Sequence, residues 1–423
     1  FVCFKVDAIN STRGEININK ENGIVRTGLK SFDLLAKTYQ FTEMEQLVWV
    51  KKNPDWVDKS GAAPMNIFRV TLKNNDVIEK ALTALEKDPN LVFAEYEAYM
   101  TTREIPNDPQ LANQWFLQTV QAYPLWDFFA GDTTIVVGIV DSGVKWNHED
   151  LRDNIWINLP ELEAGMTIDW ANGTVSGGNG VDEDGNGKID DVIGWDFKPV
   201  SSSSGSGDNN PYQNFGTNTH GTHVAGCAGA VNNNGTGVSS VAGRVKLMVT
   251  KHSPSNQSVN GISYGIEGVQ YCANSGAHVI NCSWGGPAGN QSQVNTYNTI
   301  FNGITANGTL IVCAAGNDDT DHGTLPYGDY PSDATSAICV AATNSSDTKA
   351  DFSDFGTAID IMAPGDGIRS TYYTNGNNSY ANESGTSMAS PVLAGIAAMV
   401  RATHPEFSID QIKERLFSTA DHL

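Results

Sequence analysis

The sequence has few cysteines, few basic residues and no long apolar run. Its six cysteines are too few and too scattered for a disulfide-framework protein, and no Cys-x-x-Cys pair indicates a zinc site. No run of 18 or more uncharged apolar residues occurs, which argues against a membrane-spanning helix. The 26 basic residues stand against 48 acidic ones, and the net charge of -22 argues against a surface for nucleic acid or anionic membrane.

The acidic charge is spread unevenly along the 423 residues. Residues 1–104 hold 14 basic and 15 acidic side chains, whereas residues 105–423 hold 12 basic and 33 acidic ones. This asymmetry predicts two units with different roles. Residues 101–110 carry two prolines and no periodicity, as a linker or a cleavable junction does. We therefore expect one domain at 1–103 and a second at 104–423.

The first domain shows short alternating strand and helix patterns. Its clearest element is a helix over Asn75–Asp88, where apolar residues recur at helical spacing and Pro89 ends the run. Strands are predicted at Ile24–Leu29, Asn66–Leu72 and Leu91–Tyr99, and a further helix is predicted near Ser31–Tyr39. The pattern indicates a small α+β domain.

The second domain alternates helical patterns with apolar runs rich in valine and isoleucine. We predict buried strands at Thr134–Val140, Val245–Thr250, Ala277–Cys282, Thr309–Ala315, Ile338–Ala342 and Ile359–Met362. Continuously apolar strands are typical of a mainly parallel sheet covered by helices on both faces. The prediction is thus a doubly wound α/β domain, with a surface insertion at about residues 161–210 that is rich in Gly, Asn, Ser and Asp.

Four polar residues stand at predicted strand ends or helix starts, where an α/β sheet gathers its ligands. Asp141 and Asn317 follow strands, His220 opens a helix, and Ser387 precedes a long apolar helix. Singly, each is an ordinary turn or N-cap residue. Together they supply an orienting carboxylate, a general base, a nucleophile and an amide donor for an oxyanion.

The segments around three of these residues carry a family resemblance. Val140-Asp141-Ser142-Gly143, the stretch HGTHVAG that begins at His220, and the stretch GTSMASP that contains Ser387 occur in this order. With this order the chain resembles the subtilases, the subtilisin-like serine peptidases, and most closely their thermitase-like branch. The resemblance covers roughly residues 105–418, and the family's prodomain pattern covers the first quarter.

The resemblance implies a serine endopeptidase that acts on protein or peptide substrates. Ser387 would be the nucleophile, His220 the general base and then acid, and Asp141 the carboxylate that fixes the imidazole. Asn317 and the backbone N–H of Ser387 would form the oxyanion hole. His223 would be a packed helix residue. The related sedolisins are not favoured, because by resemblance they would carry an acidic residue as the oxyanion donor, in place of Asn317, and a glutamate in place of His220.

The resemblance also suggests where substrate would bind. Ser283, Trp284 and Gly285 look like the strand that pairs with the substrate backbone and lines the pocket for the residue before the scissile bond. Trp284 departs from the smaller aliphatic residue common in the family. Asp318, with Asp319 beside it, would favour basic substrate side chains, and the alternative is that both are solvated loop acids.

An acidic stretch in the insertion predicts a calcium site. Oxygen-bearing residues alternate from Asp182, with a glycine at position six as in an EF-hand, but Ile193 at position twelve excludes a true EF-hand loop. The candidate ligands are Asp182, Asp184, Asn186, Lys188, Asp190 and Asp191. Carboxylates this close repel one another unless a cation joins them. The alternative is a flexible acidic loop.

A second calcium site is implied by the resemblance alone. The matching residues are Asp108, Asp150, Val231, Asn234, Thr236 and Val238. Asp108, Asp150 and Asn234 would offer side-chain oxygens, and the other three would offer backbone carbonyls. This site would tie the mature N-terminus to the core.

Residues 1–103 would be, by resemblance, an inhibitory ferredoxin-like prodomain whose tail, Glu95–Glu104, lies along the substrate groove. Self-cleavage is expected between about Met100 and Pro106. The alternative is a stable binding module that is never removed. We further expect a secreted monomer whose targeting segment was removed or omitted, and a C-terminus shorter than the family's.

Two further alternatives concern the whole chain and its cysteines. The rival to an enzyme is a calcium-binding surface protein on a degenerate protease fold. Cys313 and Cys339 each lie in an apolar strand pattern, so neighbouring strands would bring them together, but the sequence leaves a bond between them open.

Overall fold

The computed structural model describes residues 1–11, 16, 18–47, 66–74, 77–96, 105–198, 207–213, 218–254 and 261–422. The chain divides into two compact units, Phe1–Thr101 and Thr102–Leu423. Most of the expected cleavage region between Met100 and Pro106 lies outside the described residues, as do residues 199–206 of the expected insertion. Within the described ranges, no helix has the length and apolar character needed to cross a membrane.

The first unit is built on an antiparallel sheet. Its elements are β1 (Val2–Phe4), α1 (Val6–Ser11), β2 (Asn19–Glu21), β3 (Ile24–Arg26), α2 (Lys30–Tyr39), β4 (Phe41–Gln46), β5 (Ile67–Leu72), α3 (Ile78–Leu85) and β6 (Leu91–Ala94). The four main strands have the spatial order β4-β5-β1-β6, and all neighbours are antiparallel. With α2 and α3 between them, this is the β-α-β-β-α-β arrangement of the ferredoxin-like fold.

Aromatic packing holds this small sheet and its helices together. The ring of Phe4 on β1 lies 5.0 Å from that of Phe32 on α2, which in turn lies 5.7 Å from that of Phe41 on β4. Ala81 and Leu85 of α3 are buried in the same cluster. The sequence pattern did not predict β1 or β4. The strand β1 has only three residues, and the two apolar residues of β4 are three positions apart instead of alternating with polar ones.

The second unit continues the numbering along the chain. Its helices are α4 (Trp115–Thr119), α5 (Ala122–Trp126), α6 (Leu159–Glu163), α7 (His220–Gly229), α8 (Gly265–Asn274), α9 (Gln291–Ala306), α10 (Thr386–Thr403) and α11 (Ile409–Thr419). Its strands are β7 (Val136–Asp141), β8 (Met166–Asp169), β9 (Thr174–Gly177), β10 (Gly194–Asp196), β11 (Lys246–Lys251), β12 (Val279–Cys282), β13 (Gly286–Pro287), β14 (Leu310–Ala314), β15 (Asp329–Tyr330), β16 (Ile338–Thr343), β17 (Ile361–Pro364), β18 (Ile368–Thr374) and β19 (Asn377–Glu383).

The main sheet is parallel throughout and has the order β10-β11-β7-β12-β14-β16-β17. Alternate residues of each strand enter two different cores. On β7, Val137 and Ile139 pack with α7 and α10, whereas Val136 and Val140 pack with α8 and α9. The predicted doubly wound α/β fold is confirmed. Its six predicted strands are all present.

One strand of this sheet lies inside the expected surface insertion. The three residues of β10 form the edge strand beside β11, while β8 and β9 form a separate hairpin. A three-residue strand is too short to give a periodic pattern, which is why the sequence did not reveal it. A strand of the main sheet thus lies within the expected insertion, which otherwise stays a prediction.

Candidate active site

Asp141 is the last residue of β7 and is fully buried at the carboxyl edge of the main sheet. Its Oδ1 accepts hydrogen bonds from the backbone N–H of Ser142 at 2.6 Å and from Nδ1 of His220 at 2.8 Å. Gly221 permits this approach, because a Cβ there would lie 2.4 Å from the carbonyl oxygen of Gly143 and 3.0 Å from Oδ1. The first turn of α7 is thus held against the end of β7.

The contact with Asp141 fixes the tautomer of His220. A carboxylate only accepts hydrogen bonds, so Nδ1 carries a proton and Nε2 of the neutral ring keeps its lone pair. Burial alone would lower the pKa of His220, but the charge of Asp141, their hydrogen bond and the charge of Glu383 outweigh it and raise the pKa above its usual value. The imidazole is 37% exposed and can reach a substrate.

Ser387 lies in the first turn of α10, where backbone N–H groups have no intrahelical acceptor. Its hydroxyl donates to the carbonyl of Ser283 at 3.2 Å, and the hydroxyl of Ser283 donates back to the carbonyl of Ser387 at 2.8 Å. This reciprocal pair fixes the start of α10 to the end of β12. Rotation about one side-chain bond redirects the Ser387 hydroxyl, and such contacts commonly tighten only when substrate binds.

Asn317 follows β14 and is oriented through its side-chain oxygen. This oxygen accepts hydrogen bonds from the backbone N–H of Thr386 at 2.8 Å and from the Thr386 hydroxyl at 3.1 Å. The amide nitrogen, which can only donate, is therefore left for another acceptor. Together with the N–H of Ser387, it offers two donors to a developing oxyanion.

One cleft of about 800 Å³ brings these predicted residues together. Its lining includes Asp141, His220, Asn317 and Ser387, which come from four different elements. A carboxylate, an oriented imidazole, a serine hydroxyl and two N–H donors suit acyl transfer through a covalent intermediate.

The predicted substrate residues line the same cleft. Ser283, Trp284 and Gly285 follow β12, and Asp318 is exposed beside them. The indole N–H of Trp284 donates to the carbonyl of Val140 at 2.8 Å, which fixes the orientation of the ring. Its ring also occupies the space next to Gly265, where a Cβ would lie 2.5 Å from it. Asp319 instead pairs with Lys349 at 2.8 Å.

Sequence reasoning missed three acids that line this cleft, Glu383, Asp329 and Asp354. Glu383 stands four residues before Ser387, so its closeness in sequence was an available signal. Burial raises its pKa, with His220 acting in the opposite direction. Asp329 begins the two-residue strand β15 and Asp354 lies in a loop, neither within a motif, and only the fold brings them here.

His223 is a packed helix residue, as predicted. It is fully buried, and its Nε2 contacts the carbonyl oxygen of Ala381 at 3.1 Å. Burial lowers its pKa to about 3, so the ring is neutral at ordinary pH. It takes no part in the cleft.

Carboxylates from two segments converge beside the acidic loop. Oxygens of Glu161, Asp184 and Asp191 lie within 4.8 Å of one another. Glu161 and Asp191 are fully buried, and Oε2 of Glu161 has no hydrogen-bond partner among the described residues. Burial raises the pKa of Asp191 to about 6 and also raises that of Glu161. An orphaned oxygen among buried acids fits a cation with oxygen ligands. Glu161 lies outside the acidic stretch that predicted the calcium site, so no sequence motif indicated it.

The other predicted ligands of this loop take different places. Asn186 donates to Asp184 at 3.0 Å and to Asp191 at 2.9 Å, so it belongs to the cluster. Asp182 instead accepts backbone N–H groups of residues 185–187, and Asp190 accepts those of residues 179 and 180. The Lys188 ammonium lies 5.0 and 4.7 Å from the ring centroids of Trp195 and Phe197.

The second predicted calcium set lies together around residues 231–239. Asp108 accepts the backbone N–H of Asn234 at 3.1 Å, and Asp150 accepts the side-chain amide of Asn234 and the N–H of Val238, both at 2.8 Å. Thr236 donates its N–H to the side-chain oxygen of Asn234 at 2.8 Å, and Val231 donates to the carbonyl of Asp150 at 2.9 Å. Burial, with the charges of Asp108 and Glu149, raises the pKa of Asp150 to about 7.

All six cysteines are buried, and none of them forms a disulfide bond. Cys282, Cys313 and Cys339 lie side by side across β12, β14 and β16, so the predicted proximity of Cys313 and Cys339 is present without a bond. Burial raises the pKa of Cys339 and Cys313 well above the usual thiol value. These thiols are core residues.

Comparisons with known proteins agree with this geometry. The sequence profile of the Subtilase family matches residues 132–423. Over 319 residues the chain is 33% identical to thermitase from Thermoactinomyces vulgaris, a match that covers 75% of this chain and 92% of that protein. Over 344 residues it is 36% identical to an extracellular protease from Xanthomonas campestris pv. campestris, and this match covers 77% of the chain. The chain spans 54% of the length of that relative. A solved protease from Pseudoalteromonas arctica superimposes with a TM-score of 0.59 at 25% identity, covering 75% of this chain and 93% of that one.

Proposed function

The chain belongs to the subtilase family of subtilisin-like serine peptidases, and from this premise we propose that it is an endopeptidase that acts through Ser387, His220 and Asp141. The observation that carries the assignment is the Asp141–His220 hydrogen bond of 2.8 Å in the cleft that also contains Ser387. Singly these residues are common, but this set in one cleft gives a nucleophile, a base and an orienting group.

In the first half-reaction, Oγ of Ser387 attacks the carbonyl carbon of the scissile peptide bond while Nε2 of His220 takes the hydroxyl proton. The negative charge that develops on the carbonyl oxygen is stabilised by the amide of Asn317 and the N–H of Ser387. His220 then gives its proton to the leaving amine, the C–N bond breaks, and an acyl-enzyme remains. Asp141 stays ionised and stabilises the imidazolium.

In the second half-reaction, a water molecule takes the place of the amine. His220 removes one of its protons as its oxygen attacks the acyl carbon, and returns that proton to Oγ of Ser387 as the ester bond breaks. The products are a free carboxylic acid and the restored hydroxyl. Ser283 to Gly285 would pair with an extended substrate backbone alongside.

Calcium is proposed to stabilise the fold at two places. Glu161, Asp184 and Asp191 would hold one ion beside the acidic loop, with Asn186 contributing its side-chain oxygen after an amide flip. Asp108, Asp150 and Asn234 would hold another, with the carbonyls of Val231, Thr236 and Val238. Bound calcium would supply structural cross-linking of these loops and no step of the hydrolysis.

We also propose that the protein is a secreted zymogen whose first unit inhibits the second until self-cleavage between about Met100 and Pro106. The separation into units Phe1–Thr101 and Thr102–Leu423 supports this proposal. Secretion is further supported by one relative that is named an extracellular protease. The released protease would act as a monomer.

Covalent labelling tests the proposed function. A biotinylated fluorophosphonate should phosphonylate a serine activated by a neighbouring base, and peptide mass spectrometry should place the adduct on Ser387. The adduct should disappear after His220→Ala, since the neutral serine is a weak nucleophile. An adduct spread over several serines, or one unaffected by His220→Ala, would contradict the assignment.

A further inference from the structure

The lining of the cleft that contains Ser387 includes two segments with small side chains. One wall is formed by Gly285 and Gly286 after β12, and the other by Ala314 and Gly316 at the end of β14. Such walls leave room for a long substrate side chain between them. Asn317 directly follows Gly316 and would bind the carbonyl oxygen of the residue that Ser387 attacks, so we expect the side chain of that same residue between the two segments.

Each wall has a carboxylate directly behind a glycine. A Cβ on Gly285 would lie 2.9 Å from Oδ1 of Asp329, and a Cβ on Gly316 would lie 2.1 Å from Oδ2 of Asp354. Any other residue at these two positions would crowd or displace the acids. Since both acids also line the cleft, the missing side chains let negative charge approach its inner end.

Both carboxylate oxygens of Asp354 already have partners. Asp354 accepts the backbone N–H groups of Asp318 and Thr320 at 2.9 and 2.8 Å, and its other oxygen lies 3.6 Å from Nε2 of His322. Nδ1 of His322 pairs with Asp333 at 2.7 Å. The two ring nitrogens of His322 thus contact Asp333 and Asp354.

Asp329 is 7% exposed, and no cationic side chain forms an ion pair with it within the described part of the chain. His322 and the N–H of Gly286 favour the ionised form of Asp329, whereas Asp333 and Asp354 oppose it. Burial, the largest effect, together with the two acids raises its pKa to about 7. A buried carboxylate in this state gains from an incoming cation.

We propose that Asp329 makes the inner end of the cleft a binding site for a cationic side chain, so that the enzyme cleaves after lysine or arginine. The exposed Asp318 at the rim adds to the attraction. A leucine or phenylalanine in the same place would leave Asp329 buried without a counter-charge, which selects against apolar residues. This inference rests on the proposed function, since it names the substrate class of the same site.

Peptide p-nitroanilides that differ only in the last residue test the proposal. With the activated wild type, kcat/KM should be at least tenfold higher for arginine or lysine than for leucine, and the advantage should grow as pH rises through about 7. Asp329→Asn should reduce the arginine-to-leucine ratio at least tenfold, mainly through KM for the cationic substrate. Asp351→Asn, the loss of an exposed carboxylate three residues before Asp354, should leave the ratio within twofold. Equal or better cleavage after leucine by the wild type, or an unchanged ratio in Asp329→Asn, overturns the proposal.

Benzamidine, a compact analogue of the arginine side chain, separates this proposal from the proposed function. Calorimetry with the Ser387→Ala protein, its first unit removed by limited digestion with an unrelated protease, should show benzamidine binding that weakens at least tenfold when Asp329→Asn is added. This readout does not require turnover. Binding that is absent, or that is insensitive to Asp329→Asn, overturns the cation site even if casein is hydrolysed. Binding without any hydrolysis by the wild type supports the site while contradicting the protease assignment.

Discussion

At the scale of single residues, His220 is governed by the acids around it. Asp141 accepts its Nδ1 proton, and the charge of Glu383 acts in the same direction on its pKa. His223, on the same helix, is buried and neutral, so it adds no charge to this balance. The pKa of His220, the proposed base, is therefore raised by Asp141, which lies in a sequence motif, and by Glu383, which does not.

Removing the second carboxylate should shift the pH dependence of the reaction. A negative charge favours the protonated imidazole, so Glu383→Gln should lower the pKa of His220. Since His220 must be neutral to accept a proton, the acid limb of kcat/KM should move to lower pH. The measurement is a pH profile with an uncharged substrate, and Glu406→Gln on an exposed turn serves as the control. A limb that stays in place, or moves to higher pH, would show that Glu383 does not act on His220.

Whether a residue of the site can be predicted from the sequence depends on where its neighbours lie along the chain. Asp141 ends a strand, and His220 and Ser387 lie at the starts of helices, so the residues next to each of them in sequence already mark its position. Glu161 and Asp329 gain their properties from burial against distant segments, and burial of a polar group has no local sequence pattern. Such acids become visible only once the fold places them.

At the scale of secondary-structure elements, apolar runs predicted the central strands because both faces of the sheet are covered. The six predicted strands belong to the main sheet, while β10, β13 and β15 are too short to produce a pattern. In the first unit, β4 was missed because only Phe41 and Met44 of its six residues are buried. Predictability from sequence thus follows the length and burial of an element.

The prediction at this scale concerns the effect of calcium removal on the acidic loop and α6. If calcium joins Glu161, Asp184 and Asp191, saturation at 100 to 1,000 times Kd contributes about 3–4 kcal/mol, which chelation removes. EDTA should therefore lower the Tm of the processed protein by several degrees. Glu161→Gln should make the Tm less sensitive to EDTA, as measured by calorimetry with and without calcium.

The control for this experiment is Asp169→Asn, because the carboxylate of Asp169 is exposed and caps the turn at residues 171–172. It should leave the EDTA effect unchanged. A Tm that does not respond to EDTA in the wild type would contradict both calcium assignments. A full response in Glu161→Gln would contradict the acidic-loop site alone.

At the scale of the whole molecule, the uneven charge matches the division into units. The first unit is nearly neutral, and the second carries almost all of the net charge of -22. Of the 33 acids in residues 105–423, 12 lie between Glu149 and Asp196, the region that contains both Asp150 and the acidic loop. Bound calcium would offset part of this charge, so the formal value exceeds the charge of the metal-loaded protein.

The two-unit organisation predicts self-processing. N-terminal sequencing of the wild type after activation should find a new terminus between about Met100 and Pro106. The Ser387→Ala protein should keep the junction intact unless wild-type enzyme is added. An intact Tyr99–Asp108 segment in active enzyme would favour the alternative, in which residues 1–103 are a permanent binding module.

The most direct measurement for the central claim is casein hydrolysis by matched serine variants. Ser387→Ala, processed by added wild type and then purified, should lose at least 10³-fold in kcat, because the covalent route requires its hydroxyl. Ser384→Ala is the control, since that hydroxyl donates to Asp366 at 2.7 Å and lies outside the cleft lining. It should retain nearly full activity. Undiminished hydrolysis by Ser387→Ala would contradict the account.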